Sequence, residues 1–204
     1  MANLKMKRLL PYFTIFLTSI FLLAFNPPTK ELTEYGKWLE FHKLNHSDFS
    51  KFGNDVERKT EWYSFDLTKE YQNLFKPFRI YSSDSTYFID LDSYSLVLER
   101  ENEKLISHGS GVDMKVQVIR TNDFQATTLL FCGTECYTET ANWLSESKVE
   151  ILGFSHVKDK FVPTKWTIDL NNMLFSQFRA DKTYSKIPKS YMELERLKEI
   201  EFKK

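Results

Sequence analysis

The chain has 204 residues with 28 basic and 28 acidic side chains, 16 % aromatics, six glycines and two cysteines. That length fits one domain plus a targeting segment, and it is enough to bury a core without disulfide support. The even charge balance argues against nucleic acid and anionic membrane surfaces as ligands, and the aromatic density favours strands and a packed core over disorder.

Residues 1–26 read as a signal peptide or membrane anchor. Lys5, Lys7 and Arg8 precede an apolar run from Leu9 to Phe25, and no acidic residue occurs before Glu31. This pattern predicts export, with the body outside the cytoplasm. The run is 17 residues long. As a helix it would reach about 25 Å, a little short of a ~30 Å hydrocarbon core. Ala24 is the only alanine near its end and no A-x-A site follows, so cleavage and retention both stay open. No cysteine precedes Cys132, which excludes a lipid-attached form. The first 26 residues hold three basic and no acidic residues, so the body carries 25 basic against 28 acidic side chains.

Residues 27–60 form a segment with a helical pattern. Leu32, Tyr35, Trp38, Leu39 and His42 share one face at three- and four-residue spacing. The pattern runs from Lys30 towards Phe52, weakened by Gly36 and by Asn45 to Asp48, and Gly53-Asn54 ends it. Residues 61–204 form a β-rich domain. Strands are expected at Phe78 to Tyr81, Tyr87 to Leu91, Leu96 to Glu99, Lys115 to Arg120, Thr127 to Phe131, Val149 to Ser155, Thr164 to Leu170 and Met173 to Phe178. Turn residues separate them, as at Ser82 to Ser85, Glu101 to Glu103 and Asn171-Asn172. The short connections imply antiparallel neighbours. Near the end, Ser190 and Glu193 make a capping box ahead of Tyr191, Leu194 and Leu197, which predicts a short C-terminal helix. Ile200 and Phe202 alternate as an edge strand would.

Two stretches share a layout. Ser85 to Cys132 and Thr140 to Arg179 each hold four short strands over roughly 40 to 50 residues. Ser82-Ser83-Asp84-Ser85 before Tyr87 is similar to the turn that opens blades in TolB-like and WD40-like repeats, with Ser83 and Ser85 replacing its Pro and Gly. The pair therefore resembles two partial β-propeller blades. A propeller needs about four or more blades. The fold expected is thus mainly β with flanking helices, as antiparallel meander sheets in a sandwich or an incomplete propeller. The resemblance carries over no site residue.

Cys132-Gly133-Thr134-Glu135-Cys136 is the sharpest local motif. In an oxidising compartment the two thiols are expected to pair as a disulfide that fixes a turn. Free buried thiols and a redox pair are the alternatives, although a thioredoxin-like centre uses C-x-x-C at a helix start. His42 and His46 lie four apart, on one face if helical, as a zinc site requires, but no third ligand is evident. Asp90 and Asp92 are expected on one face of their strand, with Glu139 within approach from the second repeat. Such carboxylates could serve a hydrolase, or line the polar face of an exposed strand. His108 and His156 fall in separate turn regions. No nucleophile elbow, Walker loop or dinucleotide fingerprint occurs.

The sequence thus points to a non-catalytic exported or envelope module that binds a protein or glycan through a β surface. The alternatives are an exported hydrolase using Asp90, Asp92 and Glu139, and a metal-binding protein using His42 and His46. No cofactor and no nucleic acid is expected, and the membrane enters only through the N-terminal segment.

Overall fold

Thr33 precedes the first described helix. Its extended backbone and side-chain oxygen, which accepts from Gly36 N at 3.2 Å, cap the first helix, α1 (Glu34–His42). The computed structural model describes residues 32–111 and 113–203. The expected signal or anchor, residues 1–26, lies outside them. Among the described residues no helix is long and apolar enough to cross a membrane. Helix α1 buries Tyr35, Trp38, Leu39 and His42, the face read from the spacing. It stops ten residues before the expected end at Phe52. Lys43 takes a left-handed conformation with φ 54°, and Asn45 and Asp48 satisfy each other's backbone in a separate 3₁₀ turn. The chain then turns extended and enters a sheet as β1 (Phe49–Lys51) and β2 (Val56–Glu57).

Three sheets follow. Sheet I runs in the order β3 (Tyr63–Ser64), β9 (Gln125–Cys132), β8 (Met114–Arg120), β5 (Tyr87–Asp90), β4 (Ile80–Tyr81). Sheet II runs β1, β13 (Leu174–Ala180), β12 (Lys160–Asp169), β11 (Lys148–Val157), β10 (Cys136–Ser145), with β2 also on β13. Sheet III is β14 (Ile200–Phe202), β7 (Lys104–Ser110), β6 (Leu96–Glu101). All pairings are antiparallel except β14 with β7. The mainly β, antiparallel fold class is thus as expected. The second repeat is an unbroken meander, β10 to β13. In the first, the β6–β7 hairpin leaves for sheet III and β5 pairs directly with β8.

The period-two pattern decides which faces meet. Val116 and Val118 of β8 point inward with Ile89, Leu129 and Leu130, and join Val149, Ile151, Ile168 and Phe175 of sheet II in one core. The opposite face of sheet II, through Leu152 and Phe154, packs on Tyr35, Trp38 and Leu39 of α1. The opposite face of sheet I, through Phe88, Ile119 and Ala126, packs on a helix the pattern did not reveal, α2 (Lys69–Leu74), and on sheet III. Thr68 caps α2 by accepting from Tyr71 N at 3.0 Å. Truncating a buried Ile or Leu to Ala in such a core costs about 2–5 kcal/mol.

Two irregularities set the chemistry of the surfaces. In β10 the register slips between Thr138 and Thr140 against β11, so Glu139 is an extra residue that the ladder leaves unpaired. Gly153 faces this bulge, and a Cβ there would lie 2.1 Å from the Tyr137 carbonyl oxygen. In β9 the slip falls between Leu130 and Thr128, so Thr128 and Phe131 share the outward side although three residues apart. At the C-terminus the expected helix is a single wide turn, Met192–Arg196, with Leu197 N bonded to Met192 O at 2.7 Å. The expected edge strand is present as β14.

Candidate functional site

The three carboxylates read from the sequence do not line an exposed strand. Asp90 is 4 %, Asp92 2 % and Glu139 1 % exposed. Strand β5 ends at Asp90, so Asp92 lies in the following turn, where strand alternation no longer applies. Each carboxylate is occupied. Asp90 Oδ1 accepts the N–H groups of Asp92 and Ser93, each at 3.0 Å, and Oδ2 accepts from Tyr71 Oη at 3.3 Å and from the Ser93 hydroxyl. Asp92 takes a two-pronged pair from Arg196 at 2.7 and 2.8 Å. Burial opposes the charge on Arg196. Asp92, then Glu34 and Glu139, outweigh it and raise its pKa above the ordinary value. Glu139 Oε2 accepts from Trp38 Nε1 at 2.8 Å and meets His42 Nε2 at 2.7 Å, while Oε1 accepts from Tyr191 N at 2.8 Å. With Glu139 ionised, its oxygens only accept, and His42 would then donate from Nε2. Glu139 also borders a cleft of about 350 Å³ beside the C-terminal turn, but neither Asp90 nor Asp92 reaches it.

His42 and His46 are not brought to one helical face. Because α1 ends at His42, His46 sits in the next turn, exposed, with its ring edge-on to Tyr35 at 4.4 Å. Among the described residues the one group of three metal-ligating side chains is Glu99, Glu101 and His108, all exposed on β6 and β7. Lys203 Nζ already stands 3.3 Å from Glu101. Cys132 and Cys136 are joined in a disulfide, with Cα atoms 5.0 Å apart. It clamps the turn through which the chain passes from sheet I to sheet II.

The outer face of sheet I is covered only in part. Ile119, Ala126 and Phe88 lie under α2 and sheet III. Further along the same face Phe131 is exposed, Lys115 and Thr128 are half-buried, and Gln117 is buried. Lys115 stands directly opposite Phe131 across the β8–β9 pair, and Gln117 opposite Thr128. Tyr63 of β3 and Tyr94, from the turn after β5, complete the surface. Tyr63, Tyr94 and Phe131 are 37 %, 48 % and 52 % exposed. The rings of Tyr94 and Phe131 meet edge-on at 5.9 Å. The Tyr63 hydroxyl donates to Gln117 Oε1, which fixes that ring. The Asp90 bonds to residues 92 and 93, and the bond from Leu96 N to Asp92 O at 2.9 Å, fix the turn that presents Tyr94. Two of these exposed rings lie on the neighbouring strands β3 and β9 and the third in the turn after β5, and water would be released from them if a partner covered them.

Compared with known proteins, the chain matches no family model, no curated protein and no solved structure. Sequence spacing does not mark the patch. Phe131 is legible only as a strand residue, and its outward direction depends on the bulge at Leu129. Tyr63 and Tyr94 belong to short irregular segments with no periodic signal.

Proposed function

We propose that this is an exported, non-catalytic module that binds a glycan through the outer face of sheet I. The observation that carries the reading is the exposed Tyr63, Tyr94 and Phe131 cluster, with the half-buried Thr128 hydroxyl beside Tyr63 and the buried Gln117 amide holding the Tyr63 ring. Flat aromatic faces suit the C–H faces of pyranose rings, and hydroxyl groups at their edges suit sugar hydroxyls. Export is supported by the basic and apolar start of the chain and by the Cys132–Cys136 bridge, which belongs to an oxidising compartment. The engagement of Asp90, Asp92 and Glu139 in bonds between fold elements favours a scaffolding role for them over a hydrolytic one.

The test is retention on cell-envelope polysaccharide. Wild-type protein should be retained, and Tyr94→Ala and Phe131→Ala should be released at least tenfold more readily with unchanged thermal midpoints. Retention on protein fractions stripped of polysaccharide, lost in the same variants, would turn the reading to a protein partner. Equal behaviour of wild type and variants on both would refute it. Cell fractionation tests export separately: full-length chain in the cytosol would sink that part.

A further inference from the structure

We infer that the sugar taken by this face is acidic, and that Lys115 reads its carboxylate. This rests on the glycan reading above and adds the chemical class. The Lys115 ammonium lies 4.7 Å from the ring centre of Tyr94 and 5.8 Å from that of Tyr63. Phe131 is its direct neighbour across the strand pair. The ammonium therefore sits within the aromatic surface, not at its margin. Its only interactions among the described residues are with those two rings; it has neither a carboxylate partner nor a hydrogen bond. By contrast, Lys165 also faces aromatic rings, but has Glu150 at 3.2 Å to balance its charge.

An ammonium held against rings gains about 0.5–1 kcal/mol at an exposed site and gives up part of its water shell. It is then a strong donor with an open side, and an arriving anion would complete it. The ligand that uses the whole surface has flat C–H faces for the rings and one carboxylate for the lysine, which describes a uronic acid residue. A dense polyanion fits less well. The patch offers one ammonium, while the body carries 25 basic against 28 acidic residues, so long-range attraction is absent.

The test is isothermal titration of the full chain with a panel of uronate oligomers and their carboxyl-reduced counterparts of equal length. Wild type should bind an acidic oligomer at least tenfold more tightly than its neutral counterpart. Raising salt should weaken that binding with a slope near one released ion. Lys115→Met keeps the apolar stem, and it should bring the acidic and neutral affinities within about twofold of each other. Tyr94→Ala should weaken both. Equal affinity for acidic and neutral oligomers in wild type, or a preference that survives Lys115→Met, would overturn the inference and leave the glycan reading standing. Absence of binding across the whole panel would overturn both.

Discussion

Replacing Glu139 separates a scaffolding carboxylate from a catalytic one. Its two oxygens accept from Trp38, His42 and Tyr191, which belong to α1 and to the C-terminal turn. Hydrogen bonds to a charged group contribute about 1.5–3 kcal/mol each, and they are not additive. Glu139→Ala removes all three and leaves the Trp38 and His42 ring N–H groups and the Tyr191 backbone N–H buried without an acceptor. Breaking a buried charged network from one side costs about 3–5 kcal/mol. In a domain of 150–250 residues, each kcal/mol moves the midpoint by about 2–4 °C, so the expected fall is roughly 6–20 °C. Thermal melting followed by tryptophan fluorescence reports it, because Trp38 is one of the groups released. Glu139→Gln should cost less, since one acceptor oxygen remains. A catalytic carboxylate behaves differently: its removal is commonly neutral or stabilising. A Glu139→Ala midpoint within about 3 °C of wild type would refute the scaffolding argument.

Other outcomes follow from the same geometry. Reducing Cys132–Cys136 should remove about 2 kcal/mol, because the closed loop is only a few residues long; alkylation and mass measurement with and without reductant, alongside melting, checks this. Gly153→Ala places a methyl 2.1 Å from the Tyr137 carbonyl oxygen, and overpacking against backbone should cost about 1–3 kcal/mol or more by denaturant melt. Burial, and then the charges of Glu150 and Asp48, push Tyr35 up to about 12 from its ordinary 10.0. Burial also raises Tyr71, Tyr137 and Tyr191. The folded state binds these protons more tightly than the unfolded one, so this stability is full below pH 10 and is lost as pH rises through the folded values. Tyrosinate absorbance should therefore rise together with unfolding above about pH 10; independent, gradual titration of every tyrosine in folded protein would contradict it.

Much of the fold is legible because burial and period agree. Trp38 and Leu39 lie on the face of α1 that spacing assigns, and Val149 to Phe154 and Trp166 to Leu170 fall on strands β11 and β12 or at their end. Boundaries were less legible where local hydrogen bonding overrides period. Helix α1 ends at His42 because Lys43 turns left-handed and Asn45 and Asp48 bond each other. The Lys158–Asp159 turn, with φ 47° and 61°, joins β11 to β12 without a Gly or Asn to mark it. Helix α2 is only six residues long, too short for a periodic signal.

The site was less legible for a related reason. Spacing two apart places side chains on one face only while the strand lasts, and β5 stops at Asp90. Bulges shift faces without altering composition, and it is a bulge that sends Glu139 inward and another that sends Phe131 outward. The residues with the strongest chemistry therefore serve as connectors. Glu139 joins β10 to α1 and Tyr191, and Asp92 joins the turn after β5 to Arg196. A buried carboxylate suits this role because leaving it unpaired costs several kcal/mol, so it specifies which distant segments meet. Other groups keep incomplete interactions: Tyr94 and Phe131 bury only part of their area, and among the described residues Lys115 has rings but no anion. Asp90 links the two sets, because its bonds hold the turn that carries Tyr94. Asp90→Ala should thus weaken ligand binding at the patch through Tyr94 without contacting the ligand, and Tyr94→Ala should make that loss invisible. An additive effect in the double variant would separate Asp90 from the patch.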